Sequence, residues 1–313
     1  MQIPEKNQLR APKRSKLRLA LSQWQLYALL FPGVLIIFVF HYLPLYGATI
    51  AFKDLAIGDD MFGGTWVGFK NFERFFMGPY FGMLMTNTLK LTITQMLLTT
   101  PIPIIFALMV HNSSNKYVRK LTQTFSYMPH LLATVIVVTI IELFCRQESG
   151  LINILLSRFG YDRVDFMGRE DMFIPVYIIS NVWQGMGSNA VIYIAALSAV
   201  DVQLTEAATI DGANKLQRMW HVDIPTIMPT FVMLTIMSFG SILTVGYEKV
   251  LLLQNDLNIG ASEIISTYVY KQGLISSQFG YSAAVSLFNN VVGLILVLTV
   301  NKIAKKTADM SLF

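Results

Sequence analysis

The residues best suited to chemistry lie where polar groups are least expected. An apolar run from Phe173 to Val200 carries Asn181, Trp183, Gln184, Asn189 and Tyr193. Polar side chains in a segment long enough to cross lipid are costly and tend to face a cavity. Asn181 and Gln184 are spaced to share one helical face, which Tyr193 can join. Amides donate to and accept from hydroxyls, and an aromatic ring covers the apolar face of a pyranose. The set therefore suits a sugar. Asn289, beside Asn290, brings the same chemistry to the last apolar run, and Gln95 to the second. The competing reading is hydrogen bonding between helices.

Little else is built for reaction. His41, His111, His130 and His221 lack metal-ligand spacing. Cys145 is the lone cysteine and reads as a small buried hydrophobe. No HExxH, nucleophile elbow or GxxxxGK[ST] loop occurs. No catalytic residue, metal site or resident cofactor is expected. Glu142 with Arg146, and Glu248 with Lys249, read as interfacial ion pairs at the outer mouth of the bundle, with charges in the pore as the alternative reading.

The elements that position these residues follow from composition. Of 313 residues, 54% are hydrophobic and 14% charged, too few charges to cover a soluble surface. The apolar residues fall into six blocks, at Leu26–Tyr46, Leu89–Val110, Leu121–Phe144, Phe173–Val200, Ile227–Leu253 and Ala283–Ile303. Each reaches the roughly 20 residues a helical span needs, and none alternates as a barrel strand would. The late Glu248 and Lys249 leave the outer end of the fifth block open. The first block is too long for a signal peptide and no small-residue cleavage site follows it, so it is expected to stay as a span. Pro101, Pro103, Pro129 and Pro175 predict kinks, which open a path or simply set the packing.

Basic residues set the orientation. They crowd residues 1–23, the Lys116–Lys120 loop and the Lys302–Lys306 segment. The positive-inside rule then places both termini in the cytoplasm and makes 1–23 a basic arm on the anionic inner surface. The net charge of +5 is explained in this way, without nucleic acid. Outside, VGFKNFERFF and GLINILLSRF predict short amphipathic helices.

A polar stretch over residues 201–225 joins the fourth and fifth blocks on the cytoplasmic side. Asp201 predicts an N-cap, Gly212 a helix-ending turn, and Asn214 with Gln217 a capping box. The result is a helix-turn-helix elbow tethered to the membrane at both ends, which excludes the DNA-binding motif of that outline. Glu206-Ala207-Ala208, then Asp211-Gly212, then Val222-Asp223-Ile224-Pro225 resembles the cytoplasmic signature of binding-protein-dependent ABC importer permeases. Val222 and Ile224 stand where that signature usually has Ile and Leu. HYLPLYGATIAFKD, WVGFKNFERFF, SYMPHLLATVIV and IYIAALSAVD are similar to the carbohydrate branch, especially its oligosaccharide and polysaccharide permeases.

The resemblance implies an all-α integral membrane protein, a six-span type I ABC importer bundle over residues 24–308, with a short tail at 309–313. It implies an inner-membrane permease moving an oligo- or polysaccharide, such as acidic alginate, by alternating access. Glu206, Ala207, Ala208, Asp211, Gly212 and Pro225 would couple to the ATPase. Asn181, Trp183, Gln184, Asn189, Tyr193 and Asn289 would line the pathway. The implied partners are a second homologous permease, two cytoplasmic ATPase subunits that bind ATP and Mg, an extracytoplasmic solute-binding protein and membrane lipid. The alternatives are the same machinery with a non-sugar cargo, and a secondary transporter. The latter would want inverted repeats and embedded ion ligands.

Overall fold

The computed structural model describes residues 23–55, 58, 63–240, 243 and 246–308. The arm at 1–22 and the tail at 309–313 lie outside the described residues. Two units divide at Thr49 and Ile50. In the first, α1 (Trp24–Ile37) runs through a π-helical turn at Phe38–Tyr42 into a 3-10 segment. α1 is apolar on every side and buries none of its residues, as a lipid-facing helix would.

The second unit is helical apart from a short antiparallel ribbon, β1 (Lys53–Asp54) and β2 (Thr65–Trp66), pairing Lys53 with Trp66. Its helices are α2 (Lys70–Phe76), α3 (Phe81–Thr99), α4 (Pro101–His111), α5 (Lys116–Tyr127), α6 (Thr134–Cys145), α7 (Leu151–Arg158), α8 (Glu170–Leu197) and α9 (Val202–Ile210). They continue as α10 (Lys215–Arg218), α11 (Ile224–Gly240), α12 (Tyr247–Leu253), α13 (Ile259–Ser262), α14 (Ile265–Tyr270) and α15 (Phe279–Ala308). Four runs are long and apolar enough to cross a bilayer, at 24–52, 81–111, 215–240 and 279–306. Two bent pairs, α5 with α6 and α8 with α9, raise the number to six if each counts once. The chain is thus a multi-pass membrane protein.

Two blocks differ from straight spans. Residues 121–144 bend by 101° between α5 and α6. Pro129 sits in the intervening 3-10 turn, and Leu132 and Ala133 are extended. A proline supplies no N–H to continue the ladder, so the break falls there. In the fifth block the described helix reaches Gly240, and α12 begins from Gly246. Gly246 has φ +68°, and a Cβ there would lie 1.7 Å from the Tyr177 hydroxyl. Both conformation and space therefore require glycine.

α8 is the axis of the bundle, packing against α3, α4, α5 and α11. Val137 and Ile141 of α6 join Phe173, Tyr177 and Ile178 in one core; Ala107, Ala190, Leu197 and Ile227 form another. A third core sits under the expected amphipathic helix α2, where Phe75 packs on Phe81 and Phe288. Asn71 Nδ2 donates to the carbonyls of Ala51 and Lys53, and the Arg74 guanidinium lies 4.4 Å from the Tyr281 ring centre. These contacts pin α2 to the ribbon and to α15. α7 is likewise held, by buried Asn153 donating to the carbonyls of Arg146 and Val164.

Helices α5 and α8 approach closely at Gly187, where a Cβ would meet the Ser126 carbonyl oxygen at 2.2 Å. Small residues at such crossings let membrane helices use van der Waals contact and backbone proximity. Gly187→Val is expected to lower the stability of the purified protein by about 1–3 kcal/mol through overpacking, read as a fall in its thermal unfolding midpoint; an unchanged midpoint would contradict this crossing.

Candidate functional site

A polar cavity of about 370 Å³ opens between α8 and α12, lined by Gln95, Thr134, Tyr177, Asn181, Gln184, Tyr247, Glu248 and Lys249. Asn181 and Gln184 present their amides to it from one face of α8. Asn181 Oδ1 accepts from Lys249 Nζ at 2.7 Å, and Ser180 Oγ receives a second bond at 3.3 Å. Thr134 Oγ1 donates to Glu248 Oε2 at 3.1 Å. The αL start at Gly246 turns α12 so that Tyr247, Glu248 and Lys249 all reach this wall. Gln95 Oε1 is buried there with no hydrogen-bond partner.

Tyr247 also borders a larger cavity of about 480 Å³, with Tyr270, Phe279, Ser286, Asn289 and Asn290 on its wall. Asn289 Nδ2 donates to the Leu243 carbonyl at 3.1 Å, while its Oδ1 is buried and unpartnered. Rings, hydroxyls and half-used amides line this space, a mixture that offers both apolar faces and hydrogen bonds to a polyhydroxylated solute.

The other predicted pathway residues are placed elsewhere. Trp183 lines a separate apolar groove with Ile140, Phe144 and Cys145. Tyr193 is buried in the core with Ala107 and Ile227. Asn189 borders a narrow crevice that also touches Asn181. Tyr247 and Tyr270 carry no sequence signal as cavity residues. Lys249, a charge inside an apolar block, reads from the sequence as an interfacial charge or, alternatively, a pore charge.

Behind the cavities, the 254–271 segment is held by a polar network. Lys271 Nζ meets Glu263 Oε2 at 2.7 Å and Gln254 Oε1 at 2.6 Å. Asn87 Nδ2 donates to the carbonyls of Gly260 and Glu263, tying this segment to α3.

At the other end of α8 the chain turns by 78° into α9. Asp201 Oδ1 accepts from the Gln203 N–H at 2.9 Å, the expected N-cap. Gly212 has φ +79°, its N–H donates to the Thr209 carbonyl, and the Ala213 N–H to that of Ala208. This is the Schellman pairing, which a left-handed residue at that position permits. Asn214 and Gln217 form the expected capping box.

The second arm of the elbow is not a separate helix. It runs through a π turn at Met219–Asp223 into α11. Pro225 supplies no N–H there, and Thr226 Oγ1 donates to the Val222 carbonyl at 2.8 Å. Asp223 is 5% exposed and accepts from Asn112 Nδ2 at 2.9 Å, fixing the elbow to the end of α4. Glu206, Ala207, Asp211 and Pro225 are exposed. So are the large apolar side chains of Ile210, Leu216 and Trp220. A hollow of about 340 Å³ between the arms is lined by Ala208, Asp211, Gly212, Arg218 and His221.

Comparison with known proteins places this geometry. Residues 86–307 match the model of the binding-protein-dependent transport system inner membrane component family. The polygalacturonan/rhamnogalacturonan transport system permease protein YteP of Bacillus subtilis is 40% identical over 96% of this chain and 94% of its own length. A chain of a bacterial ABC transporter involved in the import of the acidic polysaccharide alginate superposes with a TM-score of 0.86 at 34% identity, covering 93% of this chain and 98% of that one. A chain of a bacterial alginate ABC transporter, in complex with an alginate pentasaccharide-bound periplasmic protein, gives 0.88 at 32% identity, over 96% and 100%.

The tie between α8 and α12 makes a stability claim. Asn181→Leu removes the amide acceptor of a buried ammonium, which should cost about 1.5–3 kcal/mol, the range for a hydrogen bond to a charged group. Thermal unfolding of the purified variant checks it, and a midpoint equal to that of the unaltered protein would show that the bond carries no weight.

Proposed function

The chain belongs to the binding-protein-dependent transport system inner membrane component family, and on that premise we propose that it is one permease half of an ATP-driven saccharide importer. The observation that carries the proposal is the elbow. A capped helix-turn-helix with exposed apolar side chains is tied directly into α8 and α11. A partner seated on it would move the walls of the cavity. Glu206, Ala207, Ala208, Asp211, Gly212 and Pro225 form or shape that seat.

The sugar assignment draws on two supports. One is the cavity chemistry of Asn181, Gln184, Asn289, Tyr247 and Tyr270. The other is the pair of names carried by its relatives, which are a pectin-type polysaccharide permease and an alginate importer. A second, similar permease would close the open side of each cavity. Two ATPase subunits bind ATP and Mg and supply the work, since the sequence has no phosphate-binding loop. A loaded binding protein delivers cargo outside. ATP closes the ATPases, the elbows turn the two halves outward, and hydrolysis resets them. The assembled complex with its binding protein tests this directly. A saccharide should raise its ATPase rate and accumulate in proteoliposomes only with ATP, and accumulation driven by an ion gradient would defeat it.

The finer topology is six spans over residues 24–308, with 1–23, the elbow at 201–225 and 309–313 in the cytoplasm. The Lys and Arg distribution supports it. A reporter active only outside the cytoplasm should stay silent when fused after Phe313; activity there would reverse the orientation.

Gly212→Pro probes the coupling. Proline fixes φ near −65° and lacks the N–H that bonds Thr209, so the φ +79° turn cannot form. The variant is expected to insert normally while uptake falls at least tenfold, at a retained basal ATPase rate. Normal uptake by an inserted variant would remove the elbow from the transmission.

A further inference from the structure

Lys249 is 5% exposed, so its charge is held away from solvent. Its ammonium has three protons to place. Two go to neutral acceptors, Asn181 Oδ1 at 2.7 Å and Ser180 Oγ at 3.3 Å. Buried charges are ordinarily paired with an opposite charge. The ion pairs among the described residues are Arg169 with Asp171 and Lys271 with Glu263, and neither includes Lys249. The neighbouring acid, Glu248, is exposed and engaged by Thr134.

A tether between α8 and α12 does not need a charge, because an amide or a hydroxyl could bond Asn181 equally well. Here a desolvated cation lies on the wall of a 370 Å³ cavity, beside amides that suit a sugar.

We infer that Lys249 is a specificity residue for acidic saccharides, its ammonium meeting a uronate carboxylate as the chain passes the cavity. The inference rests on the saccharide reading proposed above. Asn181 then acts as a placeholder. Its amide oxygen holds the ammonium while the cavity is empty and gives way to the carboxylate when a uronate arrives. A transported ligand needs a site favourable enough to enter and weak enough to leave. A cation that can return to a neutral acceptor meets both needs, whereas one locked to a protein carboxylate would attract no anion.

The test uses the full complex in proteoliposomes with its binding protein, offered trigalacturonate or its methyl ester at concentrations that load the binding protein equally. The readout is the ratio of acid to ester uptake, which a general loss of folding does not change. Lys249→Gln is expected to lower this ratio about tenfold, the scale of one charge-assisted hydrogen bond. Lys249→Arg should hold it near the unaltered value. A ratio unchanged in Lys249→Gln, whether uptake is normal or equally reduced for both sugars, overturns the inference. An unaltered complex that imports only neutral oligosaccharides overturns it while leaving the saccharide reading intact. An unaltered complex that imports no saccharide removes both.

Discussion

Lipid offers helices no hydrophobic reason to associate, because the acyl chains are as apolar as the side chains they would replace. The fold of this chain depends on that constraint. Its helices are joined where backbones come close or where polar groups find each other, and greasy area alone cannot do it. Gly187 lets α5 press its backbone against α8. Gly240 and Gly293 do the same for α11 and α15, where a Cβ on Gly293 would sit 2.9 Å from the Gly240 carbonyl oxygen. Asn87, Asn112, Asn181 and Asn289 each reach across to another part of the chain. The polar groups that build the site are drawn from the same small stock that holds the bundle together. Asn181 shows the overlap most clearly, since one amide both ties two helices and faces the cavity.

What the sequence revealed follows the range of the interactions involved. The elbow was legible almost residue by residue. Its N-cap, its left-handed glycine and its capping box each depend on groups within five positions, and such signals survive in a linear string. The cavity was half legible. Asn181 and Gln184 stood out because amides are rare in apolar runs, and they do share a wall. Lys249 stood out as a charge in an apolar run, but its tie to Asn181 did not, because that partner lies 68 positions away and no local pattern announces a contact of that range. Trp183 and Tyr193 shared the block but not the face, so position within a span did not decide what each touches. The kink at Pro129 was legible because a proline supplies no N–H to the helical ladder, but its size, a 101° bend, depends on what packs around it.

The 254–271 segment illustrates a different economy of structure. It contains few residues that a helix or strand requires, yet it is firmly placed. Glu263 accepts from Lys271, Gln254 and Thr267, so that a carboxylate only 6% exposed is surrounded by donors. Asn255 and Asn258 both donate to the Met167 carbonyl. A fully connected polar cluster resists rearrangement, because moving any one member strands the others. It gives α12 and α14 a stiff backing that fixes the spacing of the tyrosines on the cavity wall.

The π turn at Met219–Asp223 gives the elbow a fixed rotational phase. A wide turn holds one residue more than an α turn, and π bulges of this kind recur at functional places in helices. Each helical residue advances the side-chain direction by about 100°. The extra residue therefore turns everything before it by roughly that angle relative to α11. The face that Leu216 and Trp220 present outward is decoupled from the stripe of α11 that meets α15 and α8. Pro225, which carries no N–H to close the ladder, keeps the turn from relaxing to an ordinary one. The helix is in this way indexed like a keyed shaft, its two ends locked together at an angle that an unbroken helix would not allow.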